Sequence, residues 1–374
     1  MANDQVMNVG KLAVLGAPAT STYSSSVATT HAFWCSSAPT APQGAAMFDL
    51  GNLATGKEHS RGFRLLNYDS PIVLRGPVDE YNLPILMALA LGNDTVSTLT
   101  ATRQHVAGHA AIDAELLTTS IDVYHTTPSS LVGAFTYDGC FCNALTIRAS
   151  DGGYWEYEAE FITNGVANQM GGVGTPTYTP TQPIWFYGGT QVVLSTTAPT
   201  AVTGDPGTAL ATVANIGGGT GNGWTNVDLS GAMKSLAIRI RNNGKAYFGG
   251  SLTGAASKVR RGRQVIEIDL SMAMDPNVTS IYQLMNTHGN TAVGVGKLGL
   301  AIRKLHNVLA GTYNYGFADY FPRVMLAQRP TMPDNVDRES DINVTFRACD
   351  PERTSGATAV SYPHFWNTQN IDYA

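Results

Sequence analysis

The chain has 374 residues, enough for two domains with a core each. Only 14% of its residues are charged, against about 25% in ordinary soluble domains, while Gly and uncharged Ser, Thr and Asn are abundant, as in β-rich, loop-rich proteins. The formal net charge of −5 argues against a nucleic-acid binder that works by neutralising phosphates, and no run approaches the ~18 apolar residues of a membrane span.

The opening MANDQVMNVGKLAVLG has neither a basic start nor a sustained apolar core, so no signal peptide is expected. Cys35, Cys140, Cys142 and Cys349 are widely scattered, which fits free thiols and cytosolic synthesis. Residues 1–60 read as extended and irregular, with a strand over Val27–Trp34, and a second strand follows at Gly62–Asn67. Pro77 is placed to open a helix over Val78–Leu91, which Gly92 closes.

Strands at Leu116–Tyr124 and Ser130–Tyr137 lead into Gly133–Asn164, which reads as three antiparallel strands. Phe135 and Tyr137 run into a turn at Asp138-Gly139. Leu145 and Ile147 lie on the second strand, ended by Asp151-Gly152-Gly153, a sequence suited to the φ > 0 positions of a hairpin. On the third, Trp155, Tyr157, Ala159 and Phe161 alternate with Glu156, Glu158 and Glu160, the period of a strand with one buried and one wet side. Residues 165–183, rich in Gly, Pro and Thr, read as a linker.

The second half follows the same plan. Ile184–Ser195 reads as a hairpin about Gly188-Gly189, and a Gly/Thr/Pro-rich loop spans 196–223. Strands are expected at Leu236–Arg241, Lys245–Gly249 and Arg263–Met272, then a helix over Asn277–Thr287 opened by Pro276, then a strand at Lys297–Leu305. Residues 317–348 echo the Gly133–Asn164 stretch: an aromatic lead-in, an apolar strand, a turn-rich break, and Ile342, Val344 and Phe346 alternating against Glu339, Asp341 and Asn343. Arg61-Gly62 and Arg261-Gly262 each precede a strand, and Pro77 and Pro276 each precede a single helix. The reading is one unit of strands, helix and sheet used twice.

Most candidate chemistry dissolves on inspection. Gly217–Gly223 lacks the Lys-Ser/Thr and the helix that a phosphate loop needs. His105 and His109 stand at metalloprotease spacing, but Val106 occupies the position of the general base. Cys140-x-Cys142 has no second pair at zinc spacing. The glutamate row shares one wet strand face, whereas acid–base work needs environments that push two pKa values apart. It reads either as a solvated sheet face or as the acidic lining of a channel. Lys258, Arg260, Arg261 and Arg263 form a basic cluster on a solvated loop or a subunit contact. No enzyme, cofactor or metal is called for.

The line YDGCFCNALTIRASDGGYWEYEAEFITNG resembles the G-x-x-x-N-x-L-x-[LI] … G … alternating strand … G pattern of tail tube proteins of bacteriophages with long non-contractile tails, the siphophage-type major tail proteins. SLAIRIRNNGKAYFGG after Trp224, and RRGRQVIEIDLSMAMDPNVTSIYQLM, are similar to a later portion of that family; residues 1–60 match poorly. The resemblance implies a mainly β fold with a single helix per domain (α+β): two tandem tail-tube-type β-sandwich domains, 1–178 with an extended N-terminal region and 179–374. It further implies a structural virion protein, assembled in the host cytoplasm, whose stacked rings form the conduit for DNA ejection. Two domains per chain suggest trimeric rings with pseudo-sixfold symmetry, a hexamer being the alternative. Expected partners are further copies, the tape-measure protein, the tail terminator and distal tail proteins; DNA passes without specific binding and no membrane is involved. Glu156, Glu158, Glu160, Glu339 and Asp341 become candidate lumen-lining residues that repel phosphates, and Lys258, Arg260, Arg261 and Arg263 a candidate inter-subunit loop. The rivals are another self-assembling virion protein, such as a capsid decoration or pilus-like subunit, and a soluble carbohydrate-binding or hydrolytic β-protein. The last is suggested only by Trp185, Tyr187, Trp224 and Trp366.

Overall fold

The computed structural model describes residues 12–16, 29–36, 45–49, 63–68, 71–99, 101–109, 117–126, 131–163, 167–169, 184–195, 226–247, 256, 258–273, 298–311, 313–327, 341–349 and 362–367. The first half holds β1 (Leu12–Gly16), β2 (Thr29–Trp34), β3 (Ala45–Asp49), β4 (Phe63–Tyr68), β5 (Pro71–Pro77), α1 (Asn82–Leu91), β6 (Gly92–Leu99), β7 (Thr102–His109), β8 (Thr118–Thr126), β9 (Leu131–Ser150), β10 (Glu156–Ile162) and β11 (Ala167–Gln169). The second holds β12 (Thr190–Ser195), β13 (Asn226–Asp228), β14 (Met233–Arg241), β15 (Lys245–Tyr247), β16 (Lys258–Arg260), β17 (Val265–Ala273), β18 (Leu298–Ala310), β19 (Tyr313–Leu326), β20 (Asp341–Ala348) and β21 (Tyr362–Asn367). The protein is mainly β and its strand pairings are antiparallel.

The pairings recur. In the first half β1 joins β2 and β8, β8 joins β9, β9 joins β10 and β11, and β10 joins β5. In the second, β12 joins β13 and β18, β18 joins β19, β19 joins β20 and β21, and β20 joins β17. Even a register step repeats: Thr119↔Cys140 gives way to Ile121↔Tyr137, as Leu298↔Val324 gives way to Leu300↔Phe321. Recurrence of a bulge at the same place in two hairpins makes coincidence a poor account, because bulges are specific features of a ladder.

One strand welds the halves. β14 pairs with β17 on one side and with β9 on the other, from Ser235↔Ser150 to Arg241↔Ala144. Strands β5, β10, β9, β14, β17 and β20 therefore form one continuous sheet. The pleat sends successive side chains to opposite faces, and the apolar set all falls on one: Ile72 and Leu74, Tyr157 and Phe161, Leu145 and Ile147, Ile238 and Ile240, Ile268 and Leu270, Val344 and Phe346, each essentially buried. Removing a side chain of this size from water stabilises by about 1.5–3 kcal/mol, so a one-residue slip would sacrifice the whole face. Behind it Trp155, Trp185, Phe317 and Phe365 form an aromatic cluster shared by both halves, with centroids 6.0 Å apart for the two tryptophans, 5.9 Å for Trp155–Phe317 and 5.3 Å for Phe317–Phe365.

Several expectations shift. The helix starts at Asn82, not Val78. The β5–β10 ladder runs on to Pro77↔Glu156, the Val78 N–H donates to the Trp155 carbonyl, and Asp79 Oδ1 accepts the Tyr81 and Asn82 N–H groups at 2.8 Å. The Asp79 carboxylate, rather than Pro77, organises the turn that leads into the helix through Tyr81. All ten residues of α1 are buried, as expected of a helix apolar all round. The Asp138-Gly139 turn is absent: β9 runs unbroken for 20 residues, and Gly139, at φ 60°, absorbs the bulge opposite β8. Ile184–Ser195 is not a hairpin on itself, since Phe186 bridges to Tyr154 while β12 pairs with β13 and β18. The expected helix over 277–287, the Gly217–Gly223 loop and most of the 165–183 linker lie outside the described residues.

The hairpin β6–β7 crosses between the halves a second time. Its strand β7 pairs with β21, and His105, fully buried, places Nδ1 2.9 Å from Asp94 Oδ2 and Nε2 3.1 Å from Asn367 Oδ1. Asn242, at the end of β14, donates from Nδ2 to the carbonyls of Ala90 (2.9 Å) and Cys142 (2.8 Å), and its Oδ1 accepts from Gln264. Asn242→Leu strands these buried groups, and the expected loss is about 3 kcal/mol of unfolding free energy, read from the urea midpoint; a loss under about 0.5 kcal/mol would remove Asn242 from this role.

Candidate functional site

The face of the shared sheet that points away from the core is a lattice of cross-strand charges. Arg75 on β5 grips Glu158 on β10 with two contacts of 3.0 Å, and Arg148 on β9 holds Glu156 at 2.8 Å. Across the weld, Arg239 on β14 meets Asp269 on β17 at 2.9 Å, Arg347 on β20 meets Glu267 at 2.6 Å, and Lys234 meets Asp341 at 2.5 Å. Glu160 accepts from Asn143 Nδ2 at 2.9 Å. Three of these pairs sit directly opposite in register, Arg75↔Glu158, Arg148↔Glu156 and Arg347↔Glu267, where side chains on neighbouring strands meet. The Arg75 guanidinium holds the Glu158 carboxyl below its ordinary range, and Glu158 raises Arg75 in return. Such half-exposed pairs contribute little stability, about 0–1 kcal/mol each.

Glu156, Glu158 and Glu160 thus stand on the half-wet side, where their alternation placed them, and Asp341 joins them on the same face; Glu339 lies outside the described residues. Among the described residues they are not a row of free carboxylates: Glu156 meets Arg148, Glu158 meets Arg75, Asp269 meets Arg239, Glu267 meets Arg347 and Asp341 meets Lys234, while Glu160 accepts from Asn143. The cations were within reach of the sequence: SLAIRIR alternates Ile with Arg just as WEYEAEF alternates aromatics with Glu. A shallow groove of about 490 Å³ runs over β9, β14, β17 and β20, lined by hydroxyls and amides such as Ser150, Ser235, Ser271, Asn343 and Thr345, with Tyr154 at its margin.

The basic cluster sits elsewhere. Lys258 and Arg260 are exposed on β16, and the Arg260 guanidinium lies 5.6 Å over the Tyr247 ring of β15. Arg263 is exposed, its carbonyl accepting from Asn243 Nδ2 at 2.7 Å, and partial burial lowers the pKa of Arg261. The β15–β16 hairpin leans on the first half of its own chain: Phe141 of β9 packs with Ala256, Ala246 and Val259. Gly244 approaches that ring so closely that a Cβ there would lie 2.5 Å from Phe141 Cε1.

The remaining candidates are internal. His109 Nδ1 lies 2.7 Å from Gln264 Oε1, while His105 is committed to Asp94 and Asn367, so the two histidines serve separate contacts. Cys140 and Cys142 are fully buried, with thiol pKa values raised by desolvation. Trp185 and Tyr187 are buried as well, in the shared core; Trp224 and the Trp366 side chain lie outside the described residues. No local motif marks Glu80, which is 1% exposed two residues before α1. Neither carboxylate oxygen makes a well-formed hydrogen bond. Desolvation raises its pKa to about 8, and its own backbone N–H and the Trp185 indole offset only part of that.

The chain matches no protein-family model, and comparison with characterised proteins finds no match.

Because the folded pKa of Glu80 lies above its ordinary value of 4.5, its contribution to stability is complete below pH 4.5 and is lost as pH rises towards 8. Glu80→Gln is therefore expected to be close to wild type at pH 4.5 and more stable by several kcal/mol, about 1.4 for each pKa unit, at pH 8. Urea titrations of both proteins across this range check it, and a difference independent of pH would refute the assignment.

Proposed function

We propose that this protein is a tail-tube-type subunit of a long-tailed, non-contractile bacteriophage, built from two tandem tube domains and polymerising into stacked rings around a DNA conduit. The observation that carries the proposal is the recurrence of one strand-pairing scheme in two halves that already share a sheet through β9 and β14. A unit that pairs edge to edge with its own repeat has the geometry to continue the pairing with another copy. Three doubled chains then close a ring of six equivalent positions, and closure removes sheet edges that would otherwise invite aggregation.

The polar face supports the lumen reading on different grounds from those of an acidic lining. A conduit must not hold its cargo, since each free cation contacting phosphate adds affinity. Here most guanidinium groups are occupied by carboxylates on the next strand, and hydroxyls and amides fill the space between. On this reading the tape-measure protein occupies the lumen during assembly, the terminator and distal tail proteins cap the ends, and the protein resides in the virion tail. Burial of Trp185 and Tyr187 in the core leaves the carbohydrate-binding alternative without those two platforms.

Electron microscopy of the purified protein over a range of concentrations tests this reading. Rings or hollow tubes with six lobes, alternating in two sets of three, are the expected images. A monodisperse, featureless monomer at the highest concentration, still unassembled with preformed tail-tip complexes, would sink it.

A further inference from the structure

The repeat relates residues as well as strands. The shared register step makes Cys140 of β9 the counterpart of Val324 in β19, and places Met325 opposite Arg347 where Phe141 stands opposite Ile162. The two positions differ in surroundings. Phe141 is 3% exposed beneath the β15–β16 hairpin, whereas Met325, an apolar side chain at a matching place, is 40% exposed.

The hairpin has a counterpart too. β15–β16 stands between β14, which lies along the outer edge of β17, and β17 itself. β3–β4 stands between Ser36, whose N–H donates to the Arg75 carbonyl on the outer edge of β5, and β5 itself. Among the described residues β3–β4 forms a separate two-stranded sheet, joined by no ladder to the rest of its own chain. Its sequence, AAMFD and FRLLNY, is rich in apolar residues.

We infer that the β3–β4 hairpin of a second copy of this chain covers Met325, as β15–β16 covers Phe141 within one chain. The inference rests on the ring reading and supplies its contact: the operation that carries the first half onto the second, applied once more, carries the second half onto the first half of the next copy. The seam between chains then repeats the seam within the chain, with one apolar side chain under one hairpin in each.

The test uses the full chain with the photo-crosslinking residue p-benzoylphenylalanine at position 325, and at 141 as a reference. Position 141 is expected to link within its chain to 244–259. Position 325 is expected to link two chains, with the partner peptide inside 45–68. Met325→Asp should raise the concentration needed for assembly at least about tenfold, a cost of about 1.4 kcal/mol, with an unchanged far-UV spectrum and melting temperature, while Met325→Leu assembles like wild type. If rings form but position 325 links only within its own chain, or to another part of the neighbour, the inference is overturned and the ring reading stands. Should Met325→Asp assemble like wild type, the inference falls in the same way. If no assembly forms at any concentration, both fall.

Discussion

A β-strand inside a protein must have its N–H and C=O groups satisfied on both edges, and β14 meets that demand by drawing on both halves at once. Its one edge belongs to β17, its other to β9. Take β14 away and the inner part of β9, with Leu145 and Ile147 on its apolar side, keeps β10 but loses its other ladder. The aromatic cluster has the same character, since Trp155 comes from the first half, Trp185 from the junction, and Phe317 and Phe365 from the second. The halves are alike in topology and dependent on each other in energy.

That dependence explains which features were legible in the sequence. Period-2 alternation is imposed by the pleat, so WEYEAEF, SLAIRIR and DINVTF announced a sheet with one buried face and one wet face. The wet face shows in the sequence through its carboxylates, because their spacing is local, while the arginines that neutralise them arrive from other strands. Arg75 and Glu158 are 83 residues apart, and Arg347 and Glu267 are 80 apart. Only the register brings them together, and register is a tertiary property. The Asp138-Gly139 error has a similar origin. The dipeptide suits a turn and a bulge equally, and what decides between them is that the β8 ladder resumes beyond the step, at Ile121↔Tyr137. Pro77 misled for the converse reason: it is a good first residue of a helix, but its backbone was already claimed by β10. Glu80 left no trace, since nothing local distinguishes a carboxylate that will be desolvated from one that stays wet.

Among the described residues the weld is reinforced a second time, by the stretch that follows α1. From the end of α1 to the start of β8 the chain spends 92–117, and most of that is the β6–β7 hairpin, which reaches over to the second half's last strand, β21. Its side-chain anchor is a buried His–Asp–Asn network rather than apolar packing. Such a network is unforgiving of mismatch, because each buried polar group left unpaired costs more than a well-made hydrogen bond contributes. It therefore selects for one partner surface, that of β21.

On the proposal of a three-chain ring, this reinforcement separates two seams that would be equivalent in a ring of six single domains. The seam within a chain carries the β14 ladder, the β15–β16 hairpin over Phe141, and the β6–β7 anchor. On the inference above, a seam between chains has a counterpart for the hairpin contact, yet β11, the counterpart of β21, is paired among the described residues only with β9. With that anchor present among the described residues only in the within-chain seam, the proposal makes the between-chain seam the weaker of the two. That ordering suits a subunit that must be stable before it polymerises, since the strong seam folds with the chain and the weak one forms only by mass action. A doubled chain thus gains more than fewer parts: it fixes half of the ring's contacts at the stage of folding and leaves only the other half to assembly.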